Sequence, residues 1–228
     1  AASDVYKRQS LPLGSADCEV VGGGWLIQPV NAWSSLAYSV IGVALIASVS
    51  RGPRSDRTTR VVFGLLMVAT GIGSHLYHGP QPTGAGFAHD ITFLVMLWAL
   101  ILVNPASAYG FRPRFVWLAL GLVTAAAAII LIAAPASTNI LTGISIVGLV
   151  VSDVLVRRVG GINRRWYSAA LFLFAASLVF NILGRSGAAT CDPGSIIQFH
   201  ALWHGLSAVA IGAYFLATTV PRNQEPTT

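Results

Sequence analysis

The stretch FVWLALGLVTAAAAIILIAAPASTNILTGISIVGLVVS, residues 115–152, contains no charged side chain. An α-helix that crosses a bilayer needs about 20 consecutive apolar residues, so this stretch is long enough for two crossings. The short turn PAS, residues 135–137, separates the two apolar runs. We therefore predict two consecutive transmembrane helices, at residues 115–134 and 138–156.

Similar apolar runs fill most of the chain. Charged residues make up 10% of the sequence, against about 25% in soluble domains, and the mean hydropathy is +0.69. These values favour an integral, multi-pass membrane protein. We predict an all-α bundle with seven transmembrane spans, at roughly residues 30–50, 61–79, 87–103, 115–134, 138–156, 166–184 and 197–219.

The spans form a single predicted domain over residues 10–220. The first residues, AASDVYKRQ at 1–9, fit neither a signal peptide nor a membrane span, and we interpret them as a non-native or disordered tail. Residues 221–228 follow the last span and are expected to form a short cytoplasmic tail.

The distribution of arginine indicates the orientation of the spans. The loops after spans one, three and five carry RGPRSDRTTR, FRPR and RRVGGINRR, and with Arg222 they hold eleven of the fourteen basic residues. Basic residues concentrate in cytoplasmic loops, so we predict an external N-terminus and a cytoplasmic C-terminus. The same rule accounts for the net charge of +6 without a nucleic-acid partner.

The chain has two cysteines, Cys18 before the first span and Cys191 before the last. In the predicted orientation both lie on the non-cytoplasmic side, where disulfides persist. We predict a Cys18–Cys191 bond that ties the N-terminal segment to the last external loop; the alternative is two unpaired thiols.

All five histidines are predicted to lie at one depth, near the outer ends of three spans: His75 and His78 in the second, His89 in the third, and His200 and His204 in the seventh. Ionisable groups within spans are costly and usually functional. His200 and His204 are four residues apart, so both rings project from one helix face, a spacing that supports metal binding. Either His75 or His78 lies at a suitable depth for a third ligand.

Neutral imidazoles with oxygen-bearing neighbours favour zinc. Three protein ligands and one water are typical of catalytic zinc, whereas four protein ligands are typical of structural zinc. Asp90, at the start of the third span, can either be the fourth ligand or hold a zinc-bound water. We favour the second role, because a site with an open position explains why Ser74 lies one helical turn before His78.

The order Ser74-x-x-x-His78, then Asp90, then His200-x-x-x-His204 resembles the pattern of the CREST superfamily of membrane hydrolases. This superfamily includes the alkaline ceramidases and the adiponectin-receptor and hemolysin-III-like proteins. The motifs extend from the second span to the seventh, so the resemblance covers almost the whole chain.

Within the superfamily the chain looks most similar to the alkaline ceramidases. DCE, residues 17–19, resembles the Cys-Glu that precedes their first helix, and QPVNAWSSLAYSVIG, residues 28–42, is similar to that helix. The external N-terminus agrees with this branch. The adiponectin-receptor branch has the opposite orientation and an Asp-His order in the third span, where this chain reads His89-Asp90.

The resemblance implies zinc held by His78, His200 and His204. It also implies that Asp90 orients the zinc-bound water and acts as general base and then as acid toward the leaving amine. Ser74 would donate a hydrogen bond to the water or to the developing oxyanion.

The resemblance also raises the question of calcium. Ceramidases of the animal type bind calcium near the first helix through several acids and an Asn. Glu19 matches, but the following EVVGGGW lacks that Asn and the further acids. Asp17 and Asn31 are possible substitutes, so calcium near Glu19 is an alternative that we do not favour.

The expected function is therefore a membrane-embedded, zinc-dependent lipid amide hydrolase, which converts ceramide to a fatty acid and a sphingoid base. One alternative is a CREST-type hydrolase of another amide or ester lipid. A second is a non-catalytic receptor of the hemolysin-III or adiponectin-receptor type, and a third is a bis-histidine haem electron carrier. His75 and His89 remain open between packing and support of a metal ligand or of Asp90.

Overall fold

A computed structural model describes residues 13–51, 57–159 and 162–219. In this part of the chain it contains seven α-helices and no strand: α1 Pro29–Ala47, α2 Arg57–His78, α3 Ala85–Tyr109, α4 Pro113–Ala133, α5 Thr138–Val159, α6 Arg164–Leu183 and α7 Phe199–Thr219. Each helix is long and apolar enough to cross a membrane. The predicted all-α, seven-span fold is confirmed.

Several predicted features lie outside the described residues. These are the tails at residues 1–9 and 221–228, together with Arg54 and Arg222 of the orientation argument. The external N-terminus and cytoplasmic C-terminus stay predictions.

The helix ends follow local chemistry. Pro29 and Pro113 occupy the first turns of α1 and α4, where the missing N–H of proline costs no hydrogen bond. Asn163 caps α6, because its side-chain oxygen accepts from the N–H groups of Arg165 and Trp166 at 3.1 and 3.3 Å.

Helix α3 is longer than predicted. The apolar run ends before Asn104, and Pro105 usually disturbs a helix. The helix nevertheless continues to Tyr109 and ends at Gly110, whose φ of +71° suits a helix C-terminus. Hydropathy had therefore marked the end of the apolar run rather than the end of the helix.

The packing brings the first and last helices of the described chain together. Helix α1 packs against both α2 and α7, α3 packs against α2, α4 and α5, and α6 packs against α7. Helices α1 and α2 approach closely at Gly42 and Gly64, since a Cβ atom on Gly64 would lie only 2.7 Å from the Gly42 carbonyl oxygen. The rings of Phe63 and Phe215 stack 4.4 Å apart in the core between α2 and α7.

Asp153 forms hydrogen bonds that link α5, α6 and α7 at one end of the bundle. One carboxylate oxygen accepts from Tyr167 of α6 at 3.0 Å and contacts Nε of Arg157 at 3.0 Å, and the other accepts from Tyr214 of α7 at 3.4 Å. Asp153 itself belongs to α5, so this cluster links α5, α6 and α7.

The segment before α1, residues 13–28, lies at the opposite end of the bundle. The sulfur atoms of Cys18 and Cys191 are 2.15 Å apart, at disulfide-bonding distance, as predicted. Backbone hydrogen bonds of 2.8 and 2.9 Å, from Cys18 N to Gly184 O and from Ser186 N to Ala16 O, continue this attachment. The segment is thereby held against the loop between α6 and α7.

Candidate metal centre

Three of the predicted metal ligands meet at the end of the bundle that the segment 13–28 covers. His78 is the last residue of α2, and His200 and His204 occupy the first two turns of α7. One ligand atom from each side chain lies within 4.8 Å of the other two, and all three residues are buried. No other group of this kind occurs among the described residues, so the predicted ligand set is the candidate metal centre.

The three rings form a compact triangle. Their centroids are 5.2 Å apart for His78–His200, 5.2 Å for His78–His204 and 4.6 Å for His200–His204. The spacing of four residues in α7 turns both of its histidines toward α2. Each ring can therefore offer one nitrogen to a common ion, provided that the other nitrogen carries the proton.

Gln28 determines which ring nitrogen of His78 carries the proton. The side-chain nitrogen of Gln28 donates to the carbonyl oxygens of Gly14 at 3.0 Å and Glu19 at 2.9 Å, which fixes the orientation of the amide. Its oxygen therefore faces His78 Nδ1 at 2.8 Å and accepts from it. With the proton on Nδ1, Nε2 of His78 is free to bind a metal.

Ser34 has the same effect on His204. The Ser34 hydroxyl contacts both the Asn31 carbonyl oxygen at 3.0 Å and Nδ1 of His204 at 2.9 Å, and when it donates to Asn31 its oxygen accepts from Nδ1. Ser35 likewise donates to Asn31 at 2.7 Å and lies 3.4 Å from the same nitrogen. Nε2 of His204 is therefore also available.

His200 faces a carboxylate. Its Nδ1 lies 3.3 Å from Oδ1 of Asp17, although the angle falls outside hydrogen-bond geometry. Burial raises the pKa of the Asp17 carboxyl to about 6, against the lowering effects of Arg185 and His89. A carboxylate behind a metal-bound imidazole holds the ring and increases its basicity.

The three ring nitrogens that face away from the centre thus meet an amide oxygen, a hydroxyl and a carboxylate. All three partners come from the segment 13–28 or from the first two turns of α1. Three imidazole nitrogens with supporting oxygen partners suit zinc, and three ligands leave one coordination position for a water or substrate. The residues could therefore hold a metal ion with one coordination position left open.

The structure separates His75 from the cluster. Its Nδ1 lies 2.9 Å from the carbonyl oxygen of Ala32, and its ring packs at 5.7 Å from that of Trp33. Of the two candidates for the third ligand, the cluster contains His78.

Ser74 is buried one turn before His78, as its spacing predicts. Its hydroxyl oxygen lies 2.8 Å from that of Ser35, which is also next to His204. Either hydroxyl can be the donor of this hydrogen bond. Ser74 is thus connected to the cluster through Ser35.

Asp90 lies outside the three-histidine cluster. One of its carboxylate oxygens accepts from Nδ1 of His89 at 2.8 Å, and the other accepts from the Thr138 hydroxyl at 2.6 Å. Its side chain is 23% exposed. Of the predicted site residues, the structure therefore brings together His78, His200 and His204 with Ser74 close by, and it places Asp90 beside His89.

Glu19 caps the N-terminal end of α1. Its two carboxylate oxygens accept from the backbone N–H groups of Val30 at 2.7 Å and Asn31 at 2.8 Å, at the beginning of α1. First-turn N–H groups lack partners within the helix, and a carboxylate also interacts favourably with the helix dipole. We assign Glu19 to helix capping and propose no calcium there.

Sequence reasoning missed the roles of Gln28 and Ser34, and it considered Asp17 only for calcium. The available signal was the group of polar residues in QPVNAWSS, at the beginning of an otherwise apolar span. Buried polar side chains at such a position need partners, and histidines at the same depth are suitable ones.

Comparison with known proteins adds no family assignment. No protein-family model matches the chain, and no characterised protein matches it in sequence. The support for the candidate metal centre is the geometry of this chain's own residues.

Proposed function

We propose that this protein is a membrane-embedded, zinc-dependent hydrolase of lipid amides, similar to the alkaline ceramidases of the CREST superfamily. The observation that carries the proposal is the buried cluster of His78, His200 and His204, in which Gln28 and Ser34 are the partners of Nδ1 of His78 and His204, and Asp17 lies 3.3 Å from Nδ1 of His200. The proposed substrate is ceramide or a related lipid, and the products are a fatty acid and an amine such as a sphingoid base.

Zinc held by the three Nε2 atoms would supply Lewis acidity to a water molecule and to the amide carbonyl group. The residues around it provide orientation. Gln28 and Ser34 hold the rings of His78 and His204, and Asp17 lies 3.3 Å from Nδ1 of His200, so that much of the ligand geometry is fixed before the substrate binds.

Ser74 and Asp90 have separate proposed tasks. Ser74 is buried next to the cluster, where its hydroxyl can stabilise negative charge on the carbonyl oxygen. Asp90 is proposed to serve proton transfer from the attacking water to the leaving amine. One oxygen of Asp90 accepts a hydrogen bond from His89. The transferred proton can therefore pass through the imidazole of His89.

The arrangement of the helices favours entry of a lipid from the side. Helix α5 packs against α3, whereas α6 packs against α7, so α5 and α6 have different neighbours. The Asp153 cluster joins α5 and α6 at the end far from the metal centre. An acyl chain between α5 and α6 would therefore enter nearer to the histidine end.

The first test combines metal content with lipid hydrolysis. Full-length protein is purified in detergent and assayed with ceramide, and the proposal expects about one zinc per chain. His204→Ala should lose both zinc and hydrolysis. His75→Ala is the matched control, because it removes a histidine of the same end of the bundle that lies outside the cluster.

The outcomes separate the parts of the proposal. A wild-type protein without bound metal refutes the metal centre. A protein that retains zinc but cleaves no lipid refutes the hydrolase and favours a receptor. Turnover of lipid esters without turnover of ceramide refutes the amide assignment alone.

A further inference from the structure

His89 lies at the rim of the metal centre. Its ring is nearly perpendicular to that of His78, with centroids 6.5 Å apart, and it packs 4.5 Å from the ring of Tyr77. The side chain of His89 is 31% exposed, whereas the three clustered histidines are buried. His89 is thus next to the cluster and still accessible to an incoming molecule.

Asp90 determines which nitrogen of His89 carries the proton. An ionised carboxylate only accepts, so Nδ1 of His89 donates to Asp90 across 2.8 Å. Thr138, at the start of α5, donates to the second oxygen of Asp90 at 2.6 Å and fixes the carboxylate. Nε2 of His89 makes no hydrogen bond within the described residues and is left as an acceptor.

We propose that His89, through Nε2, contacts the molecule bound at the open side of the metal centre, and that Asp90 and Thr138 position His89. This inference rests on the metal centre of the proposed function. It gives Asp90 a different task from the one expected from sequence, because Asp90 acts through the imidazole.

The acceptor on Nε2 selects among substrates. A secondary amide carries an N–H group beside its carbonyl group, and that N–H can donate to Nε2. An ester has an oxygen at the same position, which would face the Nε2 lone pair without a hydrogen bond. An acceptor that the bound ligand shields from water and leaves unpaired weakens binding of that ligand. His89 therefore favours lipid amides over lipid esters.

The test uses two small metal-binding probes, of which only one has an N–H donor. The full-length protein is loaded with Co²⁺, and binding of acetohydroxamic acid and of its N-methyl derivative is followed by visible absorption. Both probes bind metal, but only the first has an N–H group. The wild type should bind the first about tenfold more tightly than the second, as expected for one hydrogen bond.

The variants distinguish a residue that contacts the probe from a residue that positions His89. His89→Asn keeps a donor toward Asp90 but has no atom in the place of Nε2, so the preference between the probes should disappear. His89→Gln can return a polar atom to that place and should restore part of the preference. Asp90→Asn should weaken it, and His75→Asn, the matched control, should leave it unchanged. Co²⁺ affinity is measured for each variant and should match the wild type for His89→Asn.

The results distinguish this inference from the proposed function. A preference that persists in His89→Asn, with Co²⁺ still bound, overturns the role of His89 and leaves the hydrolase standing. A preference that depends on His89 in a protein without lipid hydrolysis supports the contact although the hydrolase has failed. A wild type that binds no Co²⁺ overturns both.

Discussion

At the scale of single residues, the three clustered histidines differ in the group that lies next to the ring nitrogen facing away from the centre. His78 meets an amide, His204 a hydroxyl, and His200 a carboxylate. A carboxylate partner makes an imidazole more basic than a neutral partner does. We therefore expect His200 to be the strongest donor of the three when its Nδ1 hydrogen-bonds to Asp17, which lies 3.3 Å away.

Ser34→Ala should lower the affinity for zinc by about 10- to 100-fold, because it frees His204 to rotate or to change tautomer. The affinity is measured by competition with a chelator of known strength. Ser39→Ala is the matched control, since Ser39 lies in the same helix and donates to Val68 rather than to a histidine. Equal affinities in the two variants would contradict the role assigned to Ser34.

Gly14→Ala should also weaken zinc binding by at least about tenfold. Gly14 has a φ of +76°, and a Cβ atom there would collide with Oε1 of Gln28, which holds His78. Gly23→Ala is the control in the same segment, because a Cβ atom on Gly23 would meet nothing within 4 Å. If Gly14→Ala binds zinc like the wild type, Gln28 does not control His78.

The ligands could be predicted from sequence, whereas their partners could not. Histidine is conspicuous in an apolar span, and the spacing of His200 and His204 fixes a helix face without knowledge of the fold. Gln28 and Ser34 are ordinary residues for the start of a helix. They lie 50 residues from His78 and 170 residues from His204, so only the packing of α1 reveals their partners.

At the scale of elements, the segment 13–28 acts as part of the metal centre although it is not a helix. It provides Asp17, Gln28 and the carbonyl oxygens that orient Gln28. The Cys18–Cys191 bond attaches this segment directly beside Asp17. Hydropathy could not predict this arrangement, because loop residues give no periodic signal; only the pair of cysteines pointed to it.

Replacement of Cys18 and Cys191 together by serine should reduce the affinity for zinc by about tenfold or more, because the partners of His78 and His200 are then less firmly held. Treatment of the wild type with a thiol reductant should have the same effect. Both are measured by chelator competition, with the reductant-treated serine variant as the control. Unchanged affinity would mean that backbone hydrogen bonds alone hold the segment.

At the scale of the whole molecule, the two ends of the bundle differ in chemistry. One end holds the histidines and the disulfide, and the other holds the Asp153 cluster and most of the described arginines: Arg57, Arg60, Arg112, Arg114, Arg157, Arg158, Arg164 and Arg165. The positive-inside rule predicts that the arginine end faces the cytoplasm.

This orientation predicts the labelling of two exposed positions. A membrane-impermeant maleimide applied to intact cells should label Thr83→Cys, in the turn between α2 and α3, and should spare Arg112→Cys until the cells are permeabilised. The disulfide-bonded cysteines do not react, so each variant reports one site. The reverse pattern would place the metal centre on the cytoplasmic side.

The closure of α1 onto α7 has a consequence for biosynthesis. The ribosome completes α2 long before it completes α7. His78 is therefore synthesised well before His200 and His204, which are among the last residues of the bundle to be made. A nascent chain has no complete set of metal ligands until α7 has been inserted beside α1. If the candidate centre binds an ion, its capture is a late event, and a chain that holds the ion has already brought its first and last helices together.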